Sequence, residues 1–332
     1  MPLLPMAFMN NSGYRFFQQG MGSFYQSHVG ELSAMATALL WTLSALAWTS
    51  AGRQIGALAV SFNRLVIALL LLMCACRIDT GLWLPYDASV KTWTILLVSG
   101  FFGFFLADLC IFKAFLIIGP RLTLLLQSIT PPAVAIMAKF YLGESLGFKN
   151  WLGMAVTLAG VVWVVLEQSE SPKETHHRKD FTWGVCLALG SAIFGGIGQV
   201  FSAQAMHGDG GNGNFDPFAA TLIRVIGALI CYLPLLTLMG RWWQIGKSAL
   251  HRRAMLITVF GSVVGPFLGV ALNMKALGLC TPGVVCTIIN TTPVLILPFV
   301  ILLYKEKVSP RAALGALVSV AGVALLMWSG NP

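Results

Sequence analysis

The stretch ITPPAVAIMAKFYLGES, Ile129 to Ser145, sets two adjacent prolines at the head of an apolar run long enough to be the interior of a helix. Proline lacks an N–H, and its ring collides with the carbonyl four residues earlier, so Pro131 and Pro132 are expected to free the carbonyls of Gln127 and Ser128. The arrangement recurs in NTTPVLILPFVILLYKEK, Asn290 to Lys307, where Pro293 again lies inside an apolar run with a glutamate just past its end. Interrupting the same kind of helix twice implies a use for the interruption.

The two stretches belong to one long register. Adding 162 carries Gly103 to Gly265, Lys113 to Lys275, Ala114 to Ala276, Pro120 to Pro282 and Pro131 to Pro293. The same shift carries Glu144 to Glu306, Gly153 to Gly315 and Gly160 to Gly322 without a gap. Upstream, RLVIAL from Arg64 matches RVIGAL from Arg224 at an offset of 160. The chain is an internal duplication.

The solvent of this duplication follows from composition. Of 332 residues, 57% are hydrophobic and only 10% charged, and the mean hydropathy is +0.80. Soluble domains carry about 25% charged residues, so most of this chain is expected to lie in lipid. A helix crosses the hydrocarbon layer with about 20 apolar residues. That length predicts spans at Leu32–Ala51, Ile55–Cys76, Thr92–Ile118, Leu122–Leu142 and Trp151–Leu166. After the polar stretch EQSESPKETHHRKD (Glu167 to Asp180), five more follow at Trp183–Ala205, Pro217–Met239, Met255–Leu277, Gly283–Tyr304 and Ala312–Trp328. Five is odd, so the second repeat starts from the opposite side and the repeats are inverted, an architecture common in secondary transporters. The expected fold is an all-α integral membrane protein of ten transmembrane helices. Residues 1–29 form an N-terminal tail, 30–167 the first five-helix repeat, 168–182 a polar linker and 183–329 the second repeat. The tail has no apolar stretch followed by a small-residue cleavage site, so no signal peptide is expected, and Met21 offers an alternative start.

Pro131 and Pro293 fall near the middle of the fourth and ninth spans. Backbone groups freed at bilayer depth are tolerated only against protein or a water-filled cavity. With Gln127, Thr130, Asn290, Thr291 and Thr292 beside them, the two breaks point to a polar cavity between the halves, against the plainer reading of packing kinks.

In these features the chain resembles the drug/metabolite transporter superfamily, in its ten-helix form with two EamA-type domains. The resemblance rests on FKAFLIIGP leading to SITPPAVAIMAKFYLGES and WLGMAVTLAGVVWVV, answered by MKALGLCTPG, NTTPVLILPFVILLYKEK and ALGALVSVAGVALLMW. Arg64 and Arg224, in the second helix of each domain, fit the same pattern, whereas Lys305 departs from it where glycine is usual. The resemblance covers about Gly30 to Trp328 and implies alternating access by two five-helix bundles. It further implies a central cavity lined by helices 1, 3, 4, 6, 8 and 9, and export or exchange of a small polar metabolite or drug-like solute. Protons or a counter-substrate are implied as coupling partners, and the cell (inner) membrane as the location.

Ionisable groups inside spans cost about 2.5–3.5 kcal/mol each at the bilayer centre, so each needs an account. Asp108, deep in the third span, reads either as a proton or cation coupling site or as a hydrogen-bonding partner of Arg64. Arg64 and Arg224 suit a structural contact shared by the two bundles, with substrate-anion binding as the alternative. Lys113 lies about 140° around the helix from Asp108 and, like Lys139 and Lys275, reaches toward the interface. The substrate-binding candidates are Trp41, Gln127, Thr130, Gln199, Asn273, Asn290 and Thr291. The helix-break candidates are Pro131, Pro132 and Pro293. Gly261, Gly265 and Gly269, spaced four apart in the eighth span beside Pro266, read as a helix-packing face.

Other chemistry is weakly signalled. The net charge of +9 comes from basic residues dispersed between apolar segments, which suits lipid headgroups and not nucleic acid. The seven cysteines have no metal-ligand spacing, and the five histidines all fall outside the spans. GDGGNG, Gly208 to Gly213, matches a dinucleotide fingerprint but follows a membrane span where that site needs a strand. No cofactor, metal or catalytic group is expected, so a membrane transferase is the weakest alternative, behind a passive channel or scaffold. Orientation is contradictory. Four basic loop residues lie on the side of the termini and twelve on the other, which places the termini outside; the resemblance places them in the cytoplasm.

Overall fold

The computed structural model describes residues 28–118, 123, 126–127, 129–143, 147–167, 178–207, 215–292, 294–295 and 309–328. Among these the regular structure is entirely helical. Helix α1 runs Val29–Ile55 and α2 Ala57–Thr80, joined by Gly56 alone, whose φ of +84° permits the reversal. Helix α3 comprises Val90–Gly100 and Ala107–Ile117 with a π-helical segment, Phe101–Leu106, between them. It starts where Ser89 Oγ accepts the Thr92 N–H at 3.1 Å. Then come α4 (Thr130–Leu142), α5 (Phe148–Glu167), α6 (Arg178–His207) and α7 (Pro217–Leu238). Helix α7 is capped by Asp216, whose Oδ2 accepts the Ala219 N–H at 2.7 Å. The short α8 (Trp242–Ala249) leads to α9, made of Arg252–Ser262, a π-helical segment Val263–Gly269, and Val270–Leu277. Helices α10 (Pro282–Ile289) and α11 (Pro310–Trp328) follow.

Six helices among the described residues are long and apolar enough to cross a membrane: Val29–Ile55, Ala57–Thr80, Val90–Ala114, Phe181–His207, Pro217–Leu238 and Arg252–Leu277. Ten were expected. Two of the remaining four predicted segments fall on α5 and α11, and the other two are the fourth and ninth, which are not continuous helices. Helix α6 begins at Arg178, inside the stretch read as linker.

The prolines are placed differently from the sequence-based expectation. Pro131 and Pro132 do not sit inside a helix; they occupy the first turn of α4, after a turn at Ile129. There a missing N–H costs little, because first-turn donors have no partner within the helix. In the second half, α10 stops at Ile289, Asn290 and Thr291 form a turn, and helix resumes at Thr292, 162 residues after Thr130. Pro293, Lys305 and Glu306 lie outside the described residues, as do Pro120, Glu144 and GDGGNG.

Further features recur at the repeat offset. The π-helical segments begin at Phe101 and Val263, and 101 + 162 is 263. Each contains a glycine, Gly103 or Gly265, pressed by a large side chain. A Cβ on Gly103 would lie 2.9 Å from Arg224 Nη2, and one on Gly265 2.6 Å from Trp48 Cζ2. Small residues also bring backbones together along α3. Gly227 of α7 lies against Leu97, where a Cβ would be 2.6 Å from the carbonyl oxygen, and Gly198 of α6 against Gly103, at 2.9 Å from its Cα. Ser99 Oγ donates to the Gly198 carbonyl at 2.7 Å in the same contact.

Candidate functional site

A cavity of about 440 Å³ lies between the helices. Its wall takes Trp41, Ser44 and Trp48 from α1, Val60 and Arg64 from α2, and Gly103, Phe104, Asp108 and Phe112 from α3. Gln127 and Thr130 contribute at the start of α4, Ser191, Gly195 and Gln199 from α6, and Arg224 from α7. Gly265, Pro266, Val270 and Asn273 come from α9, and Cys286, Ile289, Asn290 and Thr292 from α10 and the turn after it. Both turns that interrupt helices reach this wall. So do both arginines and the offset-matched glycines Gly103 and Gly265.

The packing of α9 on α1 sets one side. The stripe Gly261, Gly265 and Gly269 faces α1 and accommodates Trp48 and Trp41: a Cβ on Gly269 would sit 2.8 Å from Trp41 Cδ1. The glycine spacing thus seats two indoles at the cavity wall, in place of a bare backbone contact. Thr37 Oγ1 also donates to the Gly269 carbonyl at 3.1 Å, fixing the helix pair.

The amides are organised in pairs across the cavity. Gln127 Nε2 donates to Ser191 Oγ at 3.0 Å while its Oε1 accepts from Thr130 Oγ1 at 3.3 Å, linking the α4 start to α6. Asn273 Nδ2 donates to Gln199 Oε1 at 3.0 Å, linking α9 to α6. Asn290 Nδ2 donates to the Cys286 carbonyl at 2.9 Å, closing the end of α10. Of the substrate-binding candidates, Trp41, Gln127, Thr130, Gln199, Asn273 and Asn290 therefore share one wall. Thr291 does not line it: its hydroxyl turns back to the Ile288 carbonyl at 2.7 Å, and Thr292 takes the lining position.

The charges are unevenly placed. Arg64 Nη2 pairs with Asp108 Oδ2, and the Arg64 guanidinium stacks over Trp48 at 4.5 Å and near Phe112 at 5.5 Å. Arg224 lies over the Phe104 ring at 4.5 Å and directs Nη1 at Met274 Sδ, 3.7 Å away, a weak acceptor. The offset explains the difference, since 108 + 162 is 270 and position 270 holds valine. Sequence reasoning found both arginines but missed Trp48, Ser191 and Phe104. Serine and aromatic residues in apolar helices carry no signal until their helix face is known. Lys113, Lys139 and Lys275 are exposed, and Lys113 Nζ lies 6.0 Å from the Trp183 ring.

The EamA-like transporter family model matches residues 28–166 and again 182–328. None of the curated proteins compared matches the sequence. A solved crystal structure, described only as that of a protein, superposes with a TM-score of 0.64 over 91% of this chain and 97% of its own. At 17% identity that likeness concerns the fold.

Proposed function

From the premise that the chain belongs to the EamA-like transporter family, and so is a multi-pass membrane transporter, we propose that it carries a small polar or drug-like solute by secondary-active alternating access. The membrane domain is ten helices in two inverted fives, residues 30–167 and 183–329, joined by the polar segment 168–182 and set in the cell (inner) membrane. The cavity supports this reading most directly, because both family-matched halves build it and both helix interruptions open onto it.

In this scheme the solute sits against Trp41, Gln127, Thr130, Gln199, Asn273 and Asn290. The Gln127–Ser191 bond crosses between the two halves, whereas Asn273–Gln199 joins α9 to α6 within the second, so solute binding and bundle movement act together on the Gln127–Ser191 bond. Asp108, paired with Arg64, is the coupling candidate: protonation would remove the carboxylate's charge and release Arg64. The π-helical segments Phe101–Leu106 and Val263–Gly269 supply matched points where α3 and α9 can bend.

The test is counterflow in proteoliposomes. Vesicles preloaded with unlabelled solute should accumulate labelled solute transiently and saturably. Linear, non-saturating flux would replace the carrier by a channel, and absence of protein-dependent flux would overturn transport.

A further inference from the structure

Four charged side chains among the described residues line the cavity: Arg53, Arg64, Asp108 and Arg224. Arg53 is exposed near the end of α1. The deeper three are two guanidiniums and one carboxylate, and both arginines are more than nine-tenths buried. Arg64 takes the carboxylate. Among the described residues Arg224 contacts a thioether and an aromatic face and shares the Asp108 charge with Arg64 without pairing to it, in a segment where an unpaired charge is costly.

Hydrogen-bond inventory points the same way. Among buried polar atoms without a partner, those on cavity-lining residues are Trp48 Nε1, Arg64 Nε, Arg224 Nε and Asn273 Oδ1. Three of the four are donors, and two of those are cationic. The Gln127 and Gln199 amide oxygens accept from Thr130 and Asn273, the Asn273 oxygen has no partner, and among the described residues none of these three oxygens is bonded to Arg224. Among the described residues the site is therefore short of acceptors and of negative charge. A cationic solute would worsen both deficits, and a neutral one would supply acceptors while leaving the charge.

Resting on the transporter reading above, we infer that the transported solute is a small organic anion, its carboxylate or equivalent oxyanion held by Arg224. The planar fork of guanidinium suits two-point contact with such a group. Gly103 makes room for the guanidinium itself at the cavity wall, since a Cβ there would stand 2.9 Å from Nη2. The rest of the solute lies among Trp41, Trp48, Phe104 and Ile289, so an anion with an apolar or aromatic body fits better than a heavily hydroxylated one. At about 440 Å³ the cavity takes one such molecule.

Proteoliposomes loaded with a filtered small-molecule extract of bacterial cells test the inference without choosing a solute in advance. Protein-dependent loss is read by mass spectrometry and sorted into anions, neutral molecules and cations, with protein-free vesicles subtracted. Preferential loss of anions is expected. Loss confined to neutral or cationic molecules would overturn the anion inference while leaving the transporter reading intact, and no loss in any class would overturn both. Arg224→Gln should lower the anion flux about tenfold or more, with Arg224→Lys losing less. Anion flux unchanged in Arg224→Gln would remove Arg224 from the site. Should that variant fail to fold, the class selectivity of the unaltered protein still decides.

Discussion

Gly160 of α5 and Gly322 of α11 stand 162 residues apart, and each lies against the backbone of the other's helix. A Cβ on Gly160 would be 2.7 Å from the Gly315 carbonyl oxygen and 2.8 Å from Ser319 Cα; one on Gly322 would be 2.8 Å from Thr157 Cα. Adding 162 turns Thr157 into Ser319 and Gly153 into Gly315, so the contact is reciprocal, as between two copies of one helix. Such closeness maximises dispersion contact where lipid supplies no hydrophobic drive. Gly160→Val and Gly322→Val should each destabilise by about 1–3 kcal/mol through backbone displacement. Thermal unfolding in detergent checks this, and an unchanged midpoint in either variant would show that the two helices do not meet here.

Gly265→Leu should act at two levels. The added side chain overlaps Trp48, whose ring would sit 2.6 Å from even a Cβ, with Ser44 Cβ at 3.2 Å. Trp48 also carries the Arg64 stack at 4.5 Å. Displacing the indole disturbs α1–α9 packing and the cation it covers, so folded yield and transport should both fall. Full thermal stability of the variant would mean that Gly265 borders open space.

Asp108→Asn separates coupling from structure. Asparagine keeps an oxygen that accepts from Arg64, so the protein should still fold, with a lowered unfolding midpoint because a buried cation loses its counter-charge. If protons drive transport through Asp108, accumulation against a gradient should vanish while exchange of solute down its gradient persists. Normal pH-dependent accumulation would leave Asp108 as the partner of Arg64 and nothing more.

The sequence carried the repeat, the membrane setting and the polar residues near the breaks, because each depends on chain order alone. Adding 162 links Thr130 to Thr292, and those positions restart helices in both halves. What it misplaced was the site of interruption. Proline is a marker of helix breaks, but at the first turn it is compatible with helix, so the turn falls before Pro131, at Ile129. The π-helical segments were illegible because one extra residue per turn leaves an apolar pattern apolar. The Arg64–Asp108 pair was foreseen as one of two readings. That Arg224 pairs with no carboxylate among the described residues is legible only in the folded chain, since acids far away in sequence were equally available to it.

The last prediction concerns the turns themselves. Gln127 and Asn290 stand at matched interruptions, one bonded to Ser191 and Thr130, the other to the Cys286 carbonyl. In Gln127→Leu the two hydroxyls can turn to main-chain carbonyls of their own helices, and in Asn290→Leu the α10 end loses one side-chain cap, so expression should hold. Each substitution removes hydrogen bonds worth about 0.5–1.5 kcal/mol, or roughly two- to tenfold in apparent affinity. Pro131→Ala should differ in kind. Combined with Pro132→Ala, since the Pro132 ring alone still opposes a continuous helix, it restores an N–H for the Gln127 carbonyl, lets the helical turn at Leu126–Gln127 join α4 across Ile129, and so straightens the segment. Turnover should slow more than affinity changes. Initial-rate counterflow across a range of solute concentrations separates the two effects, and leucine variants with unchanged apparent affinity would move the binding site away from the interrupted helices.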